Sequence, residues 1–209
     1  MGDPVRAAHL LEQSRKVFDE KADTDPVALA EMAETAHLYA RIPLHVRLRP
    51  GREQDALAAA MAQAKTAEGA FRRLSASREL ARVWETMGRL ALLQQEPALA
   101  IEHLKQAARA QEVSADVVGL ARTAAALSDA LAALGRAEEA VLLLTDSVRL
   151  NLAKGSPIGL AFNRRALEAL ATAAPANETM RTSLQTLADM VQRAEAVLGR
   201  LVLPGETGL

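Results

Sequence analysis

The chain contains no cysteine, which excludes disulfides, cysteine-ligated zinc, iron–sulfur clusters and thiol catalysis. Aromatic residues are scarce: Phe18, Tyr39, Phe71, Trp84 and Phe162 are the whole set, too few for a row of rings stacking on single-stranded nucleic acid. Neither charge sign dominates, since 25 Lys+Arg stand against 26 Asp+Glu for a formal charge of −1. A nucleic-acid partner is therefore not expected. No apolar run approaches the roughly 18 residues of a spanning helix, and the opening MGDPVRAAHLLEQSRKVF is broken by charge every few residues. A cytoplasmic protein without a membrane segment is the expectation. Gly2 sits where a myristoylation signal begins, but Arg6 replaces the Ser or Thr that signal needs.

Catalytic signatures are missing as well. The four histidines, at 9, 37, 45 and 103, are scattered, and no HExxH, glycine-rich phosphate loop or serine-nucleophile elbow occurs. Glu34 and His37 have the Glu-x-x-His spacing of di-iron bundles, but no second such pair exists. Neither metal nor cofactor is expected, and His37 reads as a helix-surface or interface residue.

What the sequence has is helix. Half of its residues are hydrophobic and about a quarter are charged, enough to bury a core, and alanine is abundant. Asp3-Pro4, Asp25-Pro26, Glu96-Pro97 and Ser156-Pro157 place proline after a residue with a side-chain oxygen, the arrangement of an N-cap followed by the first helical residue. Glu96 is the poor cap of the four. Further starts are read at Ser77, Ser114 and Asn177, and Gly135 and Gly155 sit where a left-handed residue would end a helix. Apolar residues recur at helical spacing, as in Val141, Leu144, Val148 and Leu152. Helices are predicted over 4–21, 26–41, 53–75, 78–95, 97–111, 115–134, 137–154, 157–173 and 177–200. Short connections then fold successive helices back antiparallel. The segment from Ile42 to Gly51 carries two prolines and alternating Leu44, Val46 and Leu48, which predicts a partly packed extended joint.

With Trp84 at position four of a helical hairpin, Met87, Gly88, Ala91, Ala100, Leu104 and Ala107 fall at seven, eight, eleven, twenty, twenty-four and twenty-seven. About forty residues later Leu127, Ser128, Leu131, Gly135, Ala140 and Leu144 take the corresponding places, and Gly135-Arg136-Ala137-Glu138-Glu139-Ala140 reads as an interhelix turn opening a second helix. A degenerate third copy starts near Ala161, with Leu167 and Ala171 in place, Pro175 at the turn and Met180 at position twenty. The pattern resembles the tetratricopeptide repeat, in the longer form of about forty residues seen in bacterial regulators and adaptors. Small residues at eight and twenty allow close helix approach, and large apolar ones fill between hairpins. The expected fold is all-α, a stack of antiparallel hairpins with about nine helices. Residues 1–41 form a capping pair, 42–52 a joint and 53–209 the repeat array. Residues 26–75 form either an upstream copy, with Ala60 one period before Ala100, or a separate pair.

The resemblance implies a concave face lined by the first helix of each hairpin that binds a protein or peptide, with no chemistry. Positions two, five, nine and twelve point into it in the family. They give Arg82, Glu85, Arg89 and Leu92; Arg122, Ala125, Asp129 and Ala132; and Phe162, Arg165, Ala169 and Thr172, with Asn163 alongside. Arginine matches a carboxylate terminus or acidic side chains; the same arginines also read as solvated residues paired with Glu85 and Asp129. The Lys and Asn clamp of chaperone-binding members is not reproduced at Ala125, Asp129 and Ala169. The alternatives are a small-ligand or signalling-peptide sensor hinged at Pro43–Pro50, a helical enzyme, and self-association through Val197, Leu198, Leu201, Val202 and Leu203. Residues 41–82 are rich in arginine, which suits an acidic partner or contact with the acidic N-terminal helices.

Overall fold

The computed structural model describes residues 4–19, 21–173 and 177–202. Asp3, Gly2, Pro175 and Leu203 lie outside that set. The described residues form nine helices without a strand: α1 (Pro4–Asp19), α2 (Pro26–Arg41), α3 (Glu53–Arg73), α4 (Ser77–Leu93), α5 (Pro97–Val113), α6 (Val117–Ala133), α7 (Ala137–Ala153), α8 (Pro157–Ala173) and α9 (Glu178–Val202). A single 3₁₀ turn covers Ile42–Leu44. The chain folds as two compact units, Met1–Ala110 and Gln111–Leu209. In the first, α1 packs on α2, α2 on α3 and α3 on α4; in the second, α6 packs on α7, α7 on α8 and α8 on α9, with α6 also touching α8 and α7 touching α9.

From α4 to α8 every helix has 17 residues. The reason lies in the turns. Ser75, Gln95, Ala115, Gly135 and Gly155 all have positive φ, from 52° to 74°, and each stands twenty positions after the one before. At each of them the left-handed residue donates its N–H to the carbonyl three back, and the next residue donates to the carbonyl five back, as Gln95 does to Leu92 and Glu96 to Ala91. This double bond satisfies the orphan carbonyls of the preceding helix end and reverses the chain. Three of the five left-handed residues are not glycine, and they mark helix ends that glycine spacing does not reveal.

Caps at the other end follow side-chain chemistry. The Asp25 carboxylate accepts from the Val27 N–H, Ser156 Oγ from Gly159 and Asn177 Oδ1 from Met180. At α6 the cap is Asp116, which accepts from Gly119, and Ser114 instead bonds back to the Gln111 carbonyl. The expected start at Ser114 is therefore corrected to Asp116.

The forty-residue register extends further upstream than the Trp84 signature. Ala60, Ala100 and Ala140 are each fully buried, as are Ala64, Leu104 and Leu144 and then Ala67, Ala107 and Ser147, so the middle of α3 follows the pattern of α5 and α7. Met180 and Leu187 continue it on α9, both buried, with Leu184 between them half-buried. Close approach is visible at Gly88, where a Cβ would stand 2.5 Å from Leu104 Cγ and 3.2 Å from the Ala100 carbonyl. At the equivalent place in the next hairpin the Ser128 hydroxyl donates to the Ala140 carbonyl at 2.9 Å.

Within the joint, residues 42–44 form the 3₁₀ turn and 47–49 have no regular secondary structure. Leu44, Val46 and Leu48 are half-buried while His45, Arg47 and Arg49 are exposed. The joint lies inside the first unit, its turn packed against α2, α3 and α4, and the division between units falls in the last turn of α5 instead.

Candidate partner-binding faces

In the first unit α4 brings Arg82 and Arg89 to one side, seven residues apart and half-exposed. Arg82 lies 3.7 Å from Glu34 of α2. Beneath this pair the His37 ring is buried, 2 % exposed, with Nε2 3.0 Å from Thr86 Oγ1. Thr86 commits its one proton to the Arg82 carbonyl, so His37 donates through Nε2. Burial, followed by the Arg82 and Arg41 charges, lowers its pKa from 6.5 to about 4. The Glu34–His37 spacing thus serves an ion pair and an interhelix hydrogen bond. No group of three or more His, Asp or Glu side chains among the described residues is placed to hold a metal ion.

Glu85, expected on the same face, is buried at 5 % exposure. Trp84 fixes α4 to α3: its Nε1 donates to Glu68 at 2.8 Å, Arg72 bonds the same carboxylate at 2.8 Å, and the Arg72 guanidinium lies 5.5 Å from the Trp84 ring centre. Burial opposes ionisation of Glu68, but the Trp84 and Arg72 hydrogen bonds and the Arg72 charge outweigh it and hold the carboxyl below its ordinary range.

In the second unit Arg122 and Asp129 are exposed on α6, and Phe162 and Arg165 on α8. These two helices touch. The Arg165 guanidinium stands 6.0 Å from the Phe162 ring centre. Arg89, Arg122, Asp129 and Glu85 all interact with neighbouring groups. Asn163 is different: it is fully buried, donates through Nδ2 to Ser147 Oγ at 2.7 Å and accepts from Asn151 Nδ2 at 2.7 Å. Ser147 in turn donates to the Ala121 carbonyl. This chain of bonds ties α6, α7 and α8 together, and Asn163 belongs to it rather than to an exposed face. Its burial was not legible from position alone, because it follows a face residue by one and helix spacing does not say how closely the next helix packs.

The residues at 82, 122 and 162, and at 89, 129 and 169, stand forty apart on successive first helices, half-exposed at 82 and 89 and exposed at the rest. These are corresponding faces of an all-α helical-repeat protein. No protein-family model matches the chain, and no curated protein sequence matches it.

Proposed function

We propose that this protein is a non-enzymatic adaptor or regulatory scaffold that binds a protein or peptide on the outward faces of its first helices, α4, α6 and α8. One observation carries the reading. Turns at a strict twenty-residue interval give helices of equal length and repeat one solvent-reaching register position along the sequence, with Arg82, Arg122 and Phe162 at it. The tetratricopeptide resemblance supports it, since that family uses the same register for partners. Arg82, Arg89, Arg122 and Arg165 are the contacts we assign, with acidic side chains or a free C-terminus on the partner. A cytoplasmic setting suits a chain with no cysteine to oxidise. No helix among the described residues is long and apolar enough to cross a membrane.

The test is capture from native lysate with mass-spectrometric identification, comparing wild type with a variant carrying Glu at 82, 89, 122 and 165 whose helicity is checked by circular dichroism. Loss of a captured partner by the folded variant is expected. Equal capture by both assigns binding to another surface, and no capture by either contradicts the scaffold reading. The alternative of a small-ligand sensor would have an open surface pocket of about 470 Å³ in the first unit, lined in part by Met61, Lys65, Leu99 and His103, as its site.

A further inference from the structure

We propose that the joint between α2 and α3 is a seat for an acidic protein segment, held as an extended run of Asp or Glu carboxylates by Arg41, Arg47 and Arg49, with the neutral His45 ring beside them as a hydrogen-bonding group. This rests on the partner-binding reading and names the partner's chemistry.

From Thr35 to Arg52 the sequence contains no carboxylate, while Arg41, Arg47, Arg49 and Arg52 and two histidines fall within it. The alternation of the joint sorts these residues by face. Leu44, Val46 and Leu48 turn inward and are half-buried, and His45, Arg47 and Arg49 are left exposed. Packing of the 3₁₀ turn at 42–44 on α2, α3 and α4 anchors the start of the joint next to Arg41 and His45 before a partner arrives, which lowers the ordering cost of binding. Of the carboxylates that flank the stretch, Glu34, Glu53 and Asp55, two are engaged: Glu34 stands 3.7 Å from Arg82, and Asp55 stands 3.8 Å from Arg52. The local field is positive enough that, after burial, the Arg41 and Arg89 charges both press the His45 pKa below its ordinary value.

Charge complementarity therefore calls for an anion, and guanidinium forks match carboxylates in pairs. A protein segment is favoured over the other anionic surfaces. A duplex would bring a long phosphate track to a chain whose net charge is −1. A membrane would need apolar side chains to insert, and at this joint the apolar residues face inward.

The experiment is fluorescence anisotropy on the full chain with a fluorescein-labelled dodecaglutamate peptide, at 50 and 300 mM NaCl. Arg41→Glu/Arg47→Glu/Arg49→Glu is expected to weaken binding at least tenfold at the lower salt. Arg47→Glu/Arg49→Glu, which changes exposed residues alone, keeps the test valid should the Arg41 change unfold the protein, and is expected to weaken it at least threefold. Arg149→Glu/Arg181→Glu, on exposed arginines of α7 and α9, is expected to leave affinity within twofold, and 300 mM NaCl to reduce it in wild type. The proposal is overturned by equal affinity of the double joint variant, by absence of peptide binding at 50 mM NaCl, or by tighter binding to a 20-base-pair duplex or to vesicles containing phosphatidylserine. Should one of these outcomes occur while lysate capture still finds a partner that depends on residues 82, 89, 122 and 165, the joint assignment fails and the scaffold reading stands.

Discussion

Ala115 ends α5 with φ of +52°, a conformation that costs a residue with a Cβ about 1–2 kcal/mol. Ala115→Gly is therefore expected to raise stability by about 1 kcal/mol in urea unfolding. Gly135 occupies the same turn one helix later, and nothing lies within 4 Å of where its Cβ would be. Gly135→Ala should thus lose about 1 kcal/mol through backbone conformation alone, and a neutral result at both positions would refute this account of the turns. Gly88 is glycine for another reason, contact: Gly88→Ala drives a methyl into Leu104 Cγ and is expected to cost about 1–3 kcal/mol. His37 adds a pH dependence. Its folded pKa, about 4, lies below the unfolded 6.5, so the unfolded chain binds more protons between those values. The stability is fully present above pH 6.5 and falls as pH drops toward 4, by on the order of 3 kcal/mol. His37→Gln should flatten that part of the stability–pH curve; an unchanged slope would show that His37 is not the group responsible.

At the scale of elements, the interhelix ladder depends on the side chains that stand at its positions. Ser147, Asn151 and Asn163 link α6, α7 and α8, whereas one period earlier Ala107, Gln111 and Thr123 stand in those positions, and Ala107 has no hydroxyl to pass the chain on. Asn163→Ala strands the buried Asn151 and Ser147 groups and is expected to cost about 2–3 kcal/mol. Adding Asn151→Ala should cost less than its own single loss, because the two residues share one network; strict additivity in urea unfolding would contradict that. Much of this scale was legible in the sequence. Proline after Asp25 and Ser156, glycine at 135 and 155, and apolar spacing located all nine helices to within a few residues. Ser75, Gln95 and Ala115 hid the strict twenty-residue interval, since their side chains carry no left-handed preference and only the completed turn imposes it. The start at Ser114 was misplaced because Ser114 and Asp116 are both capping residues, and helical geometry selects the one whose oxygen reaches Gly119.

For the molecule as a whole, the all-α repeat order was readable because packing repeats: Ala100 and Ala140, then Leu104 and Leu144, recur where small and large residues are needed. The binding faces were only partly readable. Arg82, Arg89, Arg122, Asp129 and Arg165 reach solvent to differing degrees, while Glu85 and Asn163 are enclosed by neighbouring helices, something the position of a residue in its own helix does not determine. The central claim is that a partner lies on the first-helix faces. Hydroxyl-radical footprinting of the full chain, alone and with its captured partner, tests it most directly. Phe162 on α8 is 54 % exposed, and Val113 and Leu142, on the second helices α5 and α7, are 91 % and 66 % exposed, so all three label in the free protein. The expected result is loss of labelling at Phe162 with Val113 and Leu142 unchanged; protection of Val113 and Leu142 with Phe162 still labelled would place the partner on the opposite helices and contradict it.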